Sequence, residues 1–256
     1  MKDPLINFKK LIEVLDVLLS PNGCDWDKKQ THESLVPYLL EEAYEVIESI
    51  EQRDMNGLKE ELGDLILHIL FQAKLASNEG HFSIADSLEN ISSKLIRRHP
   101  HIFLDDKSKN SKDLSWEQLK KKEKNRESVL EGVPLSLPSL TRARRIQEKA
   151  SSVGFDWNDI IPIREKIKEE LSELDEAIES TKKESIIDEM GDVLFSIVNL
   201  ARFMDVDPEA ALRHTIRKFE TRFKKVEKKI EDSGKNMQNS TLEEMDLIWN
   251  KVKEEE

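Results

Sequence analysis

The sequence is short of turn formers and nearly without cysteine: eight glycines, eight prolines and one cysteine in 256 residues. Cys24 alone excludes an internal disulfide, and a reducing compartment is the simple reading. So few turn formers argue against a β-rich fold, and period-2 runs of Val, Ile and Thr are missing as well. Excess basic charge is also absent. A net charge of −12 excludes broad nucleic-acid binding, which needs a basic footprint for phosphates, but leaves room for a local basic site. The longest apolar run, around Leu65 to Phe71, is broken by His68 and is too short to span a bilayer. The opening stretch MKDPLINFKKLIEVL lacks the apolar core of a signal peptide. The expectation is a cytoplasmic protein with no membrane and no nucleic-acid partner. What is present is 38% apolar and 36% charged residues, the balance of amphipathic helices with charged outer faces. An all-α fold is expected.

The chain carries one pattern twice. EEAYEVIESIEQRDMNGLKEELGD begins at Glu41, and EELSELDEAIESTKKESIIDEMGD begins at Glu169. Glu42, Glu45, Glu61 and Asp64 match Glu170, Glu173, Glu189 and Asp192, with Gly63 and Gly191 before each aspartate. Upstream, GCDWD echoes GFDWND. Downstream, Lys94 and Arg98 echo Lys218 and Arg222, and Trp116 and Lys120 echo Trp249 and Lys253. Chance supplies an ExxE in so acidic a chain, but not four features in one order twice, so the reading is a tandem duplication. EGVPLSLPS (131–139) breaks the helical periodicity, which places one domain at 1–130 and a second, catalytic one at 134–256. Each half has about four helical segments. Ile163, Ile167, Leu171, Leu174 and Ile178 follow helical spacing, as do Ile186, Met190, Val193, Ile197 and Leu200, with Ser180–Ser185 as the connection of a hairpin. Four helices cannot bury all these stripes, so bundles completed by self-association, as a homodimer or higher homo-oligomer, are expected.

Residues i and i+3 share a helix face, so Glu170 with Glu173, and Glu189 with Asp192, point the same way at the margin of the core. Carboxylates held there are costly unless compensated, and across an antiparallel hairpin the two pairs can converge on a cation. The donors are all oxygen, which selects Mg²⁺, with Mn²⁺ as a substitute. A di-iron bundle would want Glu-x-x-His, and neither copy has it. Mg²⁺ usually binds carboxylates together with substrate phosphates. The neighbouring cations suit that partner: Lys166 and Lys168 one turn earlier, Lys182 and Lys183 in the connection, then Lys218 and Arg222. Plainer readings exist for several of these. Lys218 and Arg222 fit solvent charges, Trp249 fits a core position, and the two Asp-Trp pairs fit helix entries.

With these residues in hand, the chain resembles the MazG family of nucleoside triphosphate pyrophosphohydrolases in its two-domain form. The resemblance rests on EExxE followed by ExxD, present as Glu169, Glu170, Glu173, Glu189 and Asp192, and again in the first half; GCDWD and HPHIF are also typical. It implies an all-α, Mg²⁺-dependent dimer or larger assembly that splits nucleoside triphosphates into monophosphate and pyrophosphate, in catabolism or pool clean-up. It implies metal ligation by Glu170, Glu173, Glu189 and Asp192, with a less active counterpart at Glu42, Glu45, Glu61 and Asp64. Nucleotide contacts would come from Lys166, Glu169, Lys218, Arg222, Trp249 and Lys253. Relatives often carry a lysine four positions before the second-helix glutamate; here Ser185 stands there, and Lys182 or Lys183 is the replacement. Glu169 and Glu173 are candidates to take the proton of an attacking water. No GxxxxGK loop holds the phosphates, and broad base tolerance is expected. The rival readings are a non-catalytic helical binding module and a related pyrophosphohydrolase of narrow substrate range.

Overall fold

The computed structural model describes residues 3–103 and 127–255; Trp116 and Lys120 lie outside them. Every regular element among the described residues is helical. The chain divides into two compact units, Met1–Ser111 and Lys112–Glu256.

In the first unit, α1 (Pro4–Leu18) opens on Asp3, whose carboxylate accepts from Leu5 N at 2.9 Å, with Pro4 at the first helical position. The hairpin follows as α2 (Val36–Gln52) and α3 (Met55–Asn78), then α4 (Ile84–Arg98) behind a Ser83/Asp86 capping box and the one-turn α5 (Pro100–Phe103). Leu15, Leu35, Leu70 and Phe71 are buried together and draw α1 onto α3.

The second unit contains α6 (Ser139–Ser151), α7 (Ile160–Ser180), α8 (Lys183–Phe203), α9 (Pro208–Asp232) and α10 (Leu242–Glu254). Asp159 and Asp207 cap α7 and α9, and a Thr241/Glu244 capping box starts α10. Both α6 and α7 pack on α8, while α9 and α10 close a further hairpin over Val226, Ile230 and Val252. The carbonyl of Val129 accepts at 3.1 Å from Lys149, a lysine only 3% exposed on α6. That contact ties this stretch to the second unit.

The connection of the second hairpin is shorter than the expected Ser180–Ser185. Thr181 takes a left-handed conformation (φ 57°) and Lys182 follows, so the helix resumes at Lys183. The first hairpin turns identically, through Arg53 (φ 58°) and Asp54. Burial also departs from the expected stripe. On α7 the buried line is Ile163, Glu170, Leu174 and Ala177, whereas Leu171 and Ile178 are 45% and 51% exposed. One apolar face of α7 serves the unit's core, and another is left exposed among the described residues.

Candidate active site

The hairpin of α7 and α8 brings carboxylates together as the helical spacing requires. Oxygens of Glu170, Glu173 and Glu189 lie within 4.8 Å of one another, and those of Glu42, Glu45 and Glu61 do the same between α2 and α3. Asp192 and Asp64 stand outside these trios. Asp192 shares a cavity wall with Glu170, and the charge of Asp64 acts on Glu42. Glu170 sits on the buried line of α7, where Lys166 Nζ reaches it at 2.8 Å and Glu169 at 2.9 Å. Those two hydrogen bonds, Glu170's first, raise the pKa of Lys166 and keep it charged. Desolvation and a hydrogen bond with Glu170 push Glu173 upward. In the first half, desolvation and neighbouring carboxylates push Glu42 and Glu61 upward.

The expected cations divide into those at the trio and those away from it. Lys166 is at the trio. Lys168 pairs with Glu165 at 2.9 Å, both exposed, on another face of α7. Lys182 and Lys183 are exposed at the hairpin tip, roughly 9 Å along α8 from Glu189 at 1.5 Å per residue. Lys218, Arg222, Trp249 and Lys253 lie on α9 and α10. There Trp249 packs 5.2 Å from Phe219, and Arg222 lies 6.0 Å over its ring. Trp249 thus flanks the buried cluster of that hairpin.

The structure adds residues that sequence reasoning missed. Beside the second trio lies a cavity of about 800 Å³ between α6, α7 and α8. Glu170, Asp192 and Lys166 form one part of its wall, and Val153, Phe155, Trp157, Ile163 and Phe195 make much of the rest apolar. Arg202 donates to Asp156 at 2.8 and 2.6 Å and to Asn199 Oδ1 at 2.8 Å. The hydrogen bonds from Arg202 hold the Asp156 carboxyl below its ordinary pKa. Gln147 and Asn199 are buried in this wall. The one visible signal was the second Asp-Trp pair, whose aspartate and tryptophan both line the cavity.

The first half is built differently at the matching positions. Tyr38 stands where Lys166 does, stacked on His68 at 6.3 Å and edge-on to Trp26 at 5.8 Å. His68 Nε2 lies 3.8 Å from Glu42, and burial lowers its pKa. An aromatic wall replaces the lysine.

Both trios fit a hard divalent cation. Each offers three oxygen donors held close by the backbone, and their mutual repulsion and desolvation are what a divalent charge would relieve. Comparison with known proteins agrees with the duplication. Residues 30–103 and 161–227 match the family model described as a MazG nucleotide pyrophosphohydrolase domain. A Thermotoga maritima protein named nucleoside triphosphate pyrophosphohydrolase/pyrophosphatase MazG is 48% identical over 256 residues, covering 99% of this chain and 98% of the relative. An Escherichia coli K12 nucleoside triphosphate pyrophosphohydrolase is 42% identical over 255 residues, 96% of this chain and 97% of that one. Bacillus subtilis YabN, named as uncharacterized, is 43% identical over 97% of this chain, which spans 52% of YabN. With its family model matched twice and relatives similar from end to end, the chain belongs to the MazG family and carries that family's domain in tandem.

Proposed function

We propose that the chain is a Mg²⁺-dependent nucleoside triphosphate pyrophosphohydrolase of broad base tolerance, working chiefly at its second-half site. The observation that carries this reading is the carboxylate trio of Glu170, Glu173 and Glu189, within 4.8 Å of one another, with Glu170 in the wall of a cavity large enough for a nucleoside. The names of the two full-length relatives support the same reaction.

Glu170, Glu173 and Glu189, with Asp192 beside them, would hold Mg²⁺ or Mn²⁺. When bound, the ion neutralises polyphosphate charge and favours ionisation of a nearby water. Lys166, kept charged by Glu170 and Glu169, adds positive charge beside the α-phosphate as the pentavalent centre forms. Glu173 belongs to the trio, which leaves Glu169 to accept the proton of the attacking water. The new bond joins water oxygen to the α-phosphorus, the α–β bridging bond breaks, and pyrophosphate departs. Lys182, Lys183, Lys218, Arg222 and Lys253 are assigned to the outer phosphates, and Trp249 holds Arg222 in place. Self-association belongs to the same reading, because Ile187, Leu194 and Ile197 on α8 are 60%, 48% and 46% exposed and a stable monomer rarely leaves such a face open.

The first half has Tyr38 where the second has Lys166, and this favours a binding or assembly role for it. Pyrophosphate release and chromatography over ATP, GTP, CTP and UTP, with and without Mg²⁺, test the proposal. AMP with pyrophosphate, only when Mg²⁺ is present, is expected from ATP. Early ADP with free phosphate would mean attack at the γ-phosphorus and would overturn it.

A further inference from the structure

Three side chains of the first unit converge away from both carboxylate trios. Glu79 caps the C-terminus of α3, and its Oε2 lies 3.5 Å from His81 Nε2 and 3.9 Å from His32 Nε2. Both distances exceed those of normal hydrogen bonds. They approach instead the separation of about 3.3 Å that two ligands keep around one tetrahedral ion with bonds of roughly 2 Å. The backbone fixes where these residues stand. Gly80 (φ 78°) reverses the chain after α3, and His81 N donates to the Ala76 carbonyl at 2.9 Å. His32 sits in the turn before α2, shortly ahead of Leu35, which is 1% exposed in the core. Its Nδ1 donates to Gln72 Oε1, and Gln72 Nε2 donates back to the His32 carbonyl at 3.2 Å. The second bond orients the amide, so the His32 ring proton is on Nδ1 and the lone pair is on Nε2, the nitrogen nearest Glu79. A metal-ligating imidazole is usually held in this way, by an acceptor on its other nitrogen.

We propose that His32, Glu79 and His81 bind a borderline divalent metal of the Zn²⁺ class, with water completing the coordination. Two imidazoles and a carboxylate are a donor set for Zn²⁺, whereas the all-oxygen trios suit Mg²⁺. Local charge points the same way. Glu79 places a carboxylate at the negative end of the α3 dipole, and the last turn of that helix holds no basic residue. A bound cation relieves that arrangement. The site is remote from the first trio, since Glu61 lies about 25 Å back along α3 at 1.5 Å per residue. Its ligand atoms are gathered less tightly than the trio oxygens. Rotation of Glu79 and His81, whose side chains are 55% and 67% exposed, closes the set without moving the backbone. The Arg53–Asp54 turn joins α2 and α3 at one end of their hairpin, and the metal clips the opposite end by tying the turn before α2 to the end of α3. In the second half Ile160 and Leu200 stand at the positions matching His32 and Gln72. The duplicated chain therefore sorts two classes of metal, and the clip belongs to the first half.

The test is Zn²⁺ binding to the full chain, measured by competition with a chromophoric chelator while excess Mg²⁺ occupies the carboxylate trios. The wild type should keep a Zn²⁺ site under these conditions. His81→Gln and Glu79→Gln, both at exposed positions, should each weaken it by about a hundredfold or more, and Gln72→Leu, which removes only the acceptor that orients His32, by roughly ten- to a hundredfold. The double variant Glu45→Ala/Glu173→Ala, which disrupts both trios, should bind Zn²⁺ with wild-type affinity. In nitrogen NMR spectra the Nε2 resonances of His32 and His81 should move on addition of Zn²⁺, and that of His68, beside Glu42 of the first trio, should not. Three outcomes would overturn the proposal: no Zn²⁺ site that survives Mg²⁺, unchanged affinity in His81→Gln, or loss of the site in Glu45→Ala/Glu173→Ala. Should Gln72→Leu not fold, His81→Gln and the histidine resonances decide.

Discussion

At Asp54 and Lys182 one backbone position carries opposite charges in the two copies. Each is the N-cap of the second hairpin helix, with φ −83°, ψ 95° and φ −84°, ψ 110°. Asp54 does what an N-cap side chain does, accepting from Asn56 N and Gly57 N at 3.0 and 3.1 Å. A lysine has no acceptor to offer, so α8 starts without a side-chain cap. Lys182→Asp should therefore stabilise the second unit by about 1 kcal/mol, seen as a higher melting midpoint, while slowing pyrophosphate release. A gain in stability with unchanged KM and kcat would show that Lys182 does not act on the substrate. The Asp156–Arg202 pair gives a pH-dependent case. The Asp156 carboxyl is held below its ordinary value of 3.8 by the Arg202 hydrogen bonds. A depressed carboxyl contributes stability that is present above its unfolded-state pKa and is lost as pH falls through the folded one. Asp156→Asn should cost roughly 2 kcal/mol at pH 7, and the gap from wild type should narrow in urea unfolding near pH 3. A gap of equal size at both pH values would count against the pair as the cause.

The α7–α8 hairpin was legible in the sequence because its information is local. Helical periodicity placed Glu170 and Glu173 on one face and Glu189 and Asp192 on another, and the duplicated spacing marked them out. Where α8 begins was not legible, because the early reversal depends on Thr181 accepting a left-handed conformation. Nor was the cavity. Gln147 and Lys149 belong to a helix that also carries Arg142, Arg144, Arg145 and Glu148, and their burial depends on carbonyls 48 and 20 residues away in the chain. Trp249 shows the same limit, since its ring contacts come from Phe219 on another helix. One further property of the helix is visible only in three dimensions: a Cβ placed on Gly191 or Gly63 would meet nothing within 4 Å. Glycine inside a helix costs about 1 kcal/mol relative to alanine, yet neither copy fills the space. Gly191 adjoins Asp192, so Gly191→Ala should raise the melting midpoint but weaken nucleotide turnover. Gly63→Ala should give only the stability gain. Identical activity in the two variants would mean that no ligand approaches Gly191.

For the whole molecule, the two copies are built unequally around their carboxylates. Each gathers three carboxylates, and the second has a lysine salt-bridged to one of them and an adjoining cavity of nucleoside size. A triphosphate nearing such a cluster is repelled unless cations reverse the local field. In the full chain Glu173→Ala should lower turnover by about a hundredfold or more, and Glu45→Ala by far less. Equal losses would mean two working sites. No described helix is long and apolar enough to cross a membrane. The aromatic neighbours of the two sites also differ, and this gives each half its own optical signal. Trp157 belongs to the cavity wall of the second half, whereas Trp26 reaches Glu42 only through Tyr38 and His68. A nucleotide titration followed by tryptophan emission should then keep its amplitude in Trp26→Phe and lose most of it in Trp157→Phe, so that light emitted by one ring reports which half of the duplicated chain is occupied.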